Sequence, residues 1–107
     1  MSSFDNRKDA FESKYAHDQE MMFRAEARCC KLFGLWLAGE MGLAGAEADL
    51  YAKEVVSSNL DEAGFDDVKR KVMADIKTKG LDISEHIIDR QLEKSMAEAK
   101  AQLLAGK

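Results

Sequence analysis

No proline occurs anywhere in the 107 residues, and that absence constrains the fold more than any other feature of the chain. Proline breaks helices from within, so its absence leaves glycine as the strong punctuation. Glycines fall where helical periodicity lapses: at Gly39, Gly42 and Gly45, at Gly64, and at Gly80. Between them the helix formers Ala, Leu, Glu, Lys, Met, Gln and Arg dominate. Apolar and polar residues nowhere alternate over a strand's length. The chain reads as all-α.

Apolar spacing predicts four helices after a polar start. From about Gln19 to Ala38, Phe23, Ala27, Cys30, Leu37 and Met41 lie near one line, and Leu32, Phe33, Leu35 and Trp36 add a second apolar face. A helix apolar on several sides belongs at the centre of a bundle. Gly34 lies on the first face, where it permits close approach of another helix. The second helix spans about Ala46 to Ser58, with Ala48, Tyr51, Ala52 and Val55 on one face. The third spans about Asp66 to Lys79. Its acidic start and basic end follow the order that the helix dipole favours. The fourth spans about Ser84 to Leu104, with Ser84 as N-cap and Ile83 and Ile88 as a hydrophobic staple. Residues 19–107 thus predict a small four-helix bundle, a single domain that buries roughly 65% of its unfolded surface.

Residues 1–18 differ from all of this. Phe4, Phe11, Tyr15 and Met22 fall within about 20° of one line on an ideal helix. A core-facing helix carries a wider apolar face, over about 100°. The stripe is broad enough to grip a partner and too narrow to anchor itself in a core. Asp5 and Asp9 are a like-charge pair one turn apart, so the helix is marginal alone, and a disordered or nascent segment is expected when the protein is free. Burying three aromatics would contribute roughly 11–15 kcal/mol. Ordering the segment would cost about 15–20 kcal/mol. Charged contacts and an anchoring bundle must close that gap.

Composition excludes several function classes. Net charge is −4, which argues against a nucleic-acid binder. The short basic run Lys69-Arg70-Lys71 reads as a solvated helix face. The run CCKLFGLWLAG is too short to span a bilayer and is broken by Lys31, so direct membrane insertion is not expected. No secretory leader is evident, and the expected location is cytoplasmic. Cys29 and Cys30 are adjacent and diverge by about 100° on a helix, so they read as two small apolar residues rather than as a disulfide. His17 and His86 complete no metal set or catalytic triad, and His86 reads as an exposed first-turn residue. The chain is therefore not read as an enzyme, and no motif requires a cofactor. A weak ATP or ADP site on the bundle needs no motif, so a nucleotide-sensing bundle stays open as an alternative, as does a helical adaptor for another partner.

Several motifs, in order along nearly the whole chain, carry a family resemblance. They are Phe4-Asp5-x-Arg7, Glu12-x-Lys14-Tyr15-Ala16-x-Asp18-x-Glu20, Phe23-Arg24, Ala27-Arg28, Lys31-Leu32-x-Gly34-x-Trp36, Tyr51-Ala52-Lys53-Glu54-Val55-Val56, and Glu62-Ala63-Gly64-x-x-Asp67-Val68-x-x-Lys71-Val72. Together they resemble the zeta subunit family, inhibitors of the alphaproteobacterial F-type ATP synthase. The resemblance implies that the N-terminal segment inserts, as a helix, between a catalytic α/β pair and the central γ subunit and blocks ATP hydrolysis. The bundle would stay outside, placing the protein at the inner membrane through the synthase and as a monomer when free. Phe4, Asp5, Arg7, Glu12, Lys14, Tyr15, Ala16 and Asp18 match the inhibitory motif, and Phe11 joins them from the stripe. Phe4, Phe11 and Tyr15 would fill the apolar cleft, while Arg7 and Lys14 would make charge-assisted contacts. One departure stands out. Where the family usually shows Ala-Arg-Arg-Asn, this chain has Ala27-Arg28-Cys29-Cys30.

Overall fold

The computed structural model describes residues 19–59 and 64–106 in full and, of residues 3–18, the helical backbone alone. Four helices follow in order: α1 (Ser3–Glu40), α2 (Ala46–Ser58), α3 (Asp66–Lys79) and α4 (Glu85–Leu104). No strand occurs among the described residues. α1 packs chiefly on α2 and α4, and α3 packs on α2. Boundaries of α2 and α3 match the sequence expectation, and α4 matches within one residue. The first helix does not stop at Gln19; α1 continues to Ser3, so the expected boundary at residue 18 falls inside one helix. Neither glycine nor proline stands between Ser3 and Phe33 to end it. The expectation that residues 1–18 are mobile or nascent lies outside the described residues.

The helix ends follow from local chemistry. Ser84 caps α4: its Oγ accepts a hydrogen bond from the Ile87 amide at 3.3 Å. Ile88 is fully buried and Ile83 packs against the core, as a staple requires. α3 ends on Gly80, whose φ of 69° is left-handed, a conformation that costs any residue with a Cβ.

The core is built on α1. Cys29, Cys30, Phe33 and Leu37 are fully buried, and α2 contributes Val55, α3 Val68 and Val72, and α4 Ile88 and Ala99. Phe33 and Trp36 pack with ring centroids 5.8 Å apart. Gly34 brings α2 against α1. A Cβ there would sit 2.8 Å from the Ala52 Cα, so only glycine fits. The cysteines fill core volume, and Cys29 Sγ lies 3.6 Å from the Leu92 carbonyl oxygen. Burial pushes both thiols up to about 12, with the Glu26 carboxylate adding to the effect.

The basic run is not a solvated face. Lys69 on α3 bridges to Glu85 at 3.1 Å and Asp89 at 2.9 Å on α4. Lys71 contacts Asp75 at 3.1 Å and Glu54 of α2 at 3.6 Å, and Arg70 pairs with Asp67 at 3.0 Å. Two of the three cations thus tie α3 to its neighbours. Period counting missed this because the partner carboxylates come from other helices. Tyr51 joins the same cluster, donating its hydroxyl to Asp75 at 2.8 Å. Burial and that carboxylate hold the phenol well above the usual tyrosine range.

Candidate inhibitory face

α1 changes character at Ala25, its first buried residue among those described. Just before it, Gln19 and Glu20 are exposed, Met22 is 46% exposed and Phe23 59%. Arg24 Nη2 pairs with Glu20 Oε1 across one turn at 2.7 Å, with both side chains mostly in solvent. Such a pair steadies the helix only slightly.

Phe23 corrects the sequence reading, which placed it on the inner face of the bundle. Its angular position is right, in line with Ala27, Cys30 and Leu37. What it lacks is a partner at its level. α4 ends at Leu104, and Leu103 and Gly106 lie beside Arg24, Ala27 and Arg28. Phe23 stands at the N-terminal margin of that contact, where the bundle leaves it 59% exposed. Periodicity fixes which face is apolar; the length of the packing partner fixes how much of that face is covered.

The sequence-based site residues are Phe4, Asp5, Arg7, Phe11, Glu12, Lys14, Tyr15, Ala16 and Asp18. Their side chains lie outside the described residues. Their backbone belongs to α1, N-terminal to the exposed Met22 and Phe23. The structure therefore places them on one helix with the core. Phe23 adds exposed apolar surface beside Met22 but about 100° round the helix from the stripe, which is why sequence reasoning assigned it to the core face.

The bundle shows little that could carry chemistry. Among the described residues no group of three His, Cys, Asp or Glu side chains could hold a metal ion. His86 is exposed, as expected for a first-turn residue of α4. The thiols are buried and held protonated, so neither is a nucleophile near neutral pH. No helix among the described residues is long and apolar enough to cross a membrane.

Cys29 and Cys30 mark the departure from the family motif, and both side chains point into the core with no exposed surface. In this chain the two positions serve packing. Arg28, which keeps the arginine of that motif, remains half-exposed.

Comparison with known proteins fits this arrangement. A structure solved by solution NMR is 46% identical in sequence and covers 81% of this chain and 99% of its own, with a TM-score of 0.71. No curated protein matched. The family model for the ATPase inhibitor subunit zeta matches residues 1–102, which takes in the N-terminal segment and all but the end of α4. The chain belongs to the ATPase inhibitor subunit zeta family.

Proposed function

We propose that this chain inhibits ATP hydrolysis by the F-type ATP synthase as a helical wedge. Residues 1–18 insert between a catalytic α/β pair and the γ subunit, while the bundle stays outside as the anchor. The synthase would hold the protein at the cytoplasmic side of the inner membrane. The observation that carries this reading is the division within α1. One helix begins at Ser3, and among its described side chains, from Gln19 on, the first buried one is Ala25. A helix built this way couples its first half mechanically to a folded body.

Within the wedge, Phe4, Phe11 and Tyr15 would supply apolar contact. Arg7 and Lys14 would pair with carboxylates at the mouth of the cleft, and Asp5, Glu12 and Asp18 with cations. Inhibition of this kind needs no cofactor. The geometric requirement is that the segment occupy space that the rotating shaft and closing catalytic subunits must sweep.

Two measurements test the reading. The first is the double substitution Phe11→Ala, Tyr15→Ala, assayed on ATP hydrolysis by the cognate synthase. Truncating two central interface aromatics weakens binding by roughly 100-fold or more. A double variant that folds normally and inhibits as well as the parent would exclude the wedge. The second is a photo-cross-linker placed at position 15. Products with the β and γ subunits are expected, and cross-links confined to other subunits would contradict the proposed location.

A further inference from the structure

α1 carries a second feature, beyond the wedge. Arg24, Arg28 and Lys31 follow at i, i+4 and i+7, which places them within about 60° on one side of the helix. They line a groove of about 650 Å³ whose floor includes Ala27, Val56 and Leu103. A second groove of about 570 Å³ continues from it, sharing Lys31 and Val56, and adds Lys53 from α2. Asp49 lines this second part and is the one carboxylate along either wall among the described residues. Arg24 is engaged by Glu20. Arg28, Lys31 and Lys53 have no ion-pair partner among the described residues. The contrast with Lys69, Arg70 and Lys71, each paired, is direct. A chain of net charge −4 thus gathers unspent cations around one partly apolar groove.

We infer that this groove is a second docking site, which receives an acidic segment on the rim of the ATP synthase cleft that takes the wedge. Two observations select that occupant. Charge complementarity calls for carboxylates against Arg28, Lys31 and Lys53. Continuity places them on the same partner: Arg24 stands six residues beyond Asp18 on the same helix, about 9 Å further along its axis. Arg24, Arg28 and Lys31 lie roughly opposite the Phe4–Met22 line around α1, so the cleft wall that faces the back of the wedge runs on to the groove. The inference rests on the wedge reading and deepens it. The wedge blocks rotation; the groove sets how fast the inhibitor associates and how that rate responds to salt, as charged rims do.

The test uses the full-length protein with Lys31→Glu, Lys53→Glu together, and Lys31→Arg, Lys53→Arg as the charge-conserving control. Both lysines are exposed, so helix content and melting should match the parent. The concentration for half-maximal inhibition of the synthase is measured at low and high ionic strength. The reversal should raise it roughly tenfold at low salt and flatten its salt dependence, with inhibition at saturation unchanged. The arginine control should match the parent. Should the reversed variant melt differently, Lys31→Gln, Lys53→Gln provides a neutral version with a smaller shift in the same direction. Equal half-maximal concentrations and equal salt dependence in parent and reversed protein would overturn the groove while leaving the wedge intact. A parent that does not inhibit hydrolysis at all would overturn the wedge itself.

Discussion

Phe23 and Phe33 are the same residue on the same helix, about 15 Å apart along its axis, and they have opposite fates. Phe23 is 59% exposed, whereas Phe33 has no exposed surface and packs beside Trp36. Phe33 belongs to the core cluster that α2, α3 and α4 close over; Phe23 precedes Ala25, the first buried residue of α1 among those described. The difference shows that α1 is two devices in one rod. Its second half is core, held by neighbours. Just before Ala25, Met22 and Phe23 display apolar surface that the bundle does not use, the property the proposed wedge needs at its base.

The comparison breaks if the two phenylalanines respond alike to truncation. Phe33→Ala should cost about 3–5 kcal/mol of stability, because it leaves a cavity at the centre of the core. Phe23→Ala should change stability by no more than about 0.5 kcal/mol. Urea denaturation of the two variants measures both. A large loss for Phe23→Ala would mean that the upper part of α1 is packed in solution.

The buried half of α1 should also be sensitive to alkali. Cys29 and Cys30 are raised from 9.0 to about 12 by burial, with Glu26 contributing. Between those values the folded protein keeps two protons that the unfolded chain has lost. Stability is therefore unaffected below pH 9 and falls as pH rises from about 9 towards about 12. Denaturation midpoints at pH 8 and pH 10 check the direction. The same burial predicts that a thiol reagent at pH 8 modifies neither cysteine until the protein unfolds, whereas fast labelling of the native protein would contradict it.

Two glycines of α1 sharpen the contrast at smaller scale. Gly34→Ala would press a Cβ to 2.8 Å from the Ala52 backbone and should cost about 1–3 kcal/mol. Gly39→Ala meets nothing within 4 Å and should stabilise the helix by up to about 1 kcal/mol. Thermal melts of the pair should therefore move in opposite directions. Smaller still, Tyr51→Phe removes the hydrogen bond to Asp75 between α2 and α3 and should cost about 1 kcal/mol.

Much of the fold was legible from the chain because its signals are local. Ser84 marks a helix start through its own side chain, and Gly80 marks a stop through its own backbone. Gly34 could be read as a close approach because it interrupts an apolar face. What was not legible depends on residues distant in sequence. The Lys69-Arg70-Lys71 run looks solvated until α4 brings Glu85 and Asp89 to Lys69, and α2 brings Glu54 to Lys71. Phe23 looks buried because its line on α1 is apolar, yet the folded bundle leaves it 59% exposed. The apolar stripe from Phe4 to Tyr15 is visible as an anomaly of width, but its proposed target comes from motif resemblance, because a free amphipathic stripe does not name its partner. Of the basic groove only the α1 side, Arg24, Arg28 and Lys31 at helical spacing, is written in the sequence; Lys53, Val56 and Leu103 join it from α2 and α4.

The central claim is that residues 1–18 inhibit and the remaining bundle anchors. Deleting them and assaying ATP hydrolysis by the cognate synthase tests it most directly, with melting followed in parallel. Among the described residues the core begins at Ala25, so the truncated protein should retain the parent's cooperative unfolding and lose inhibition at concentrations where the parent is saturating. A truncated bundle that folds and still inhibits fully would contradict the account.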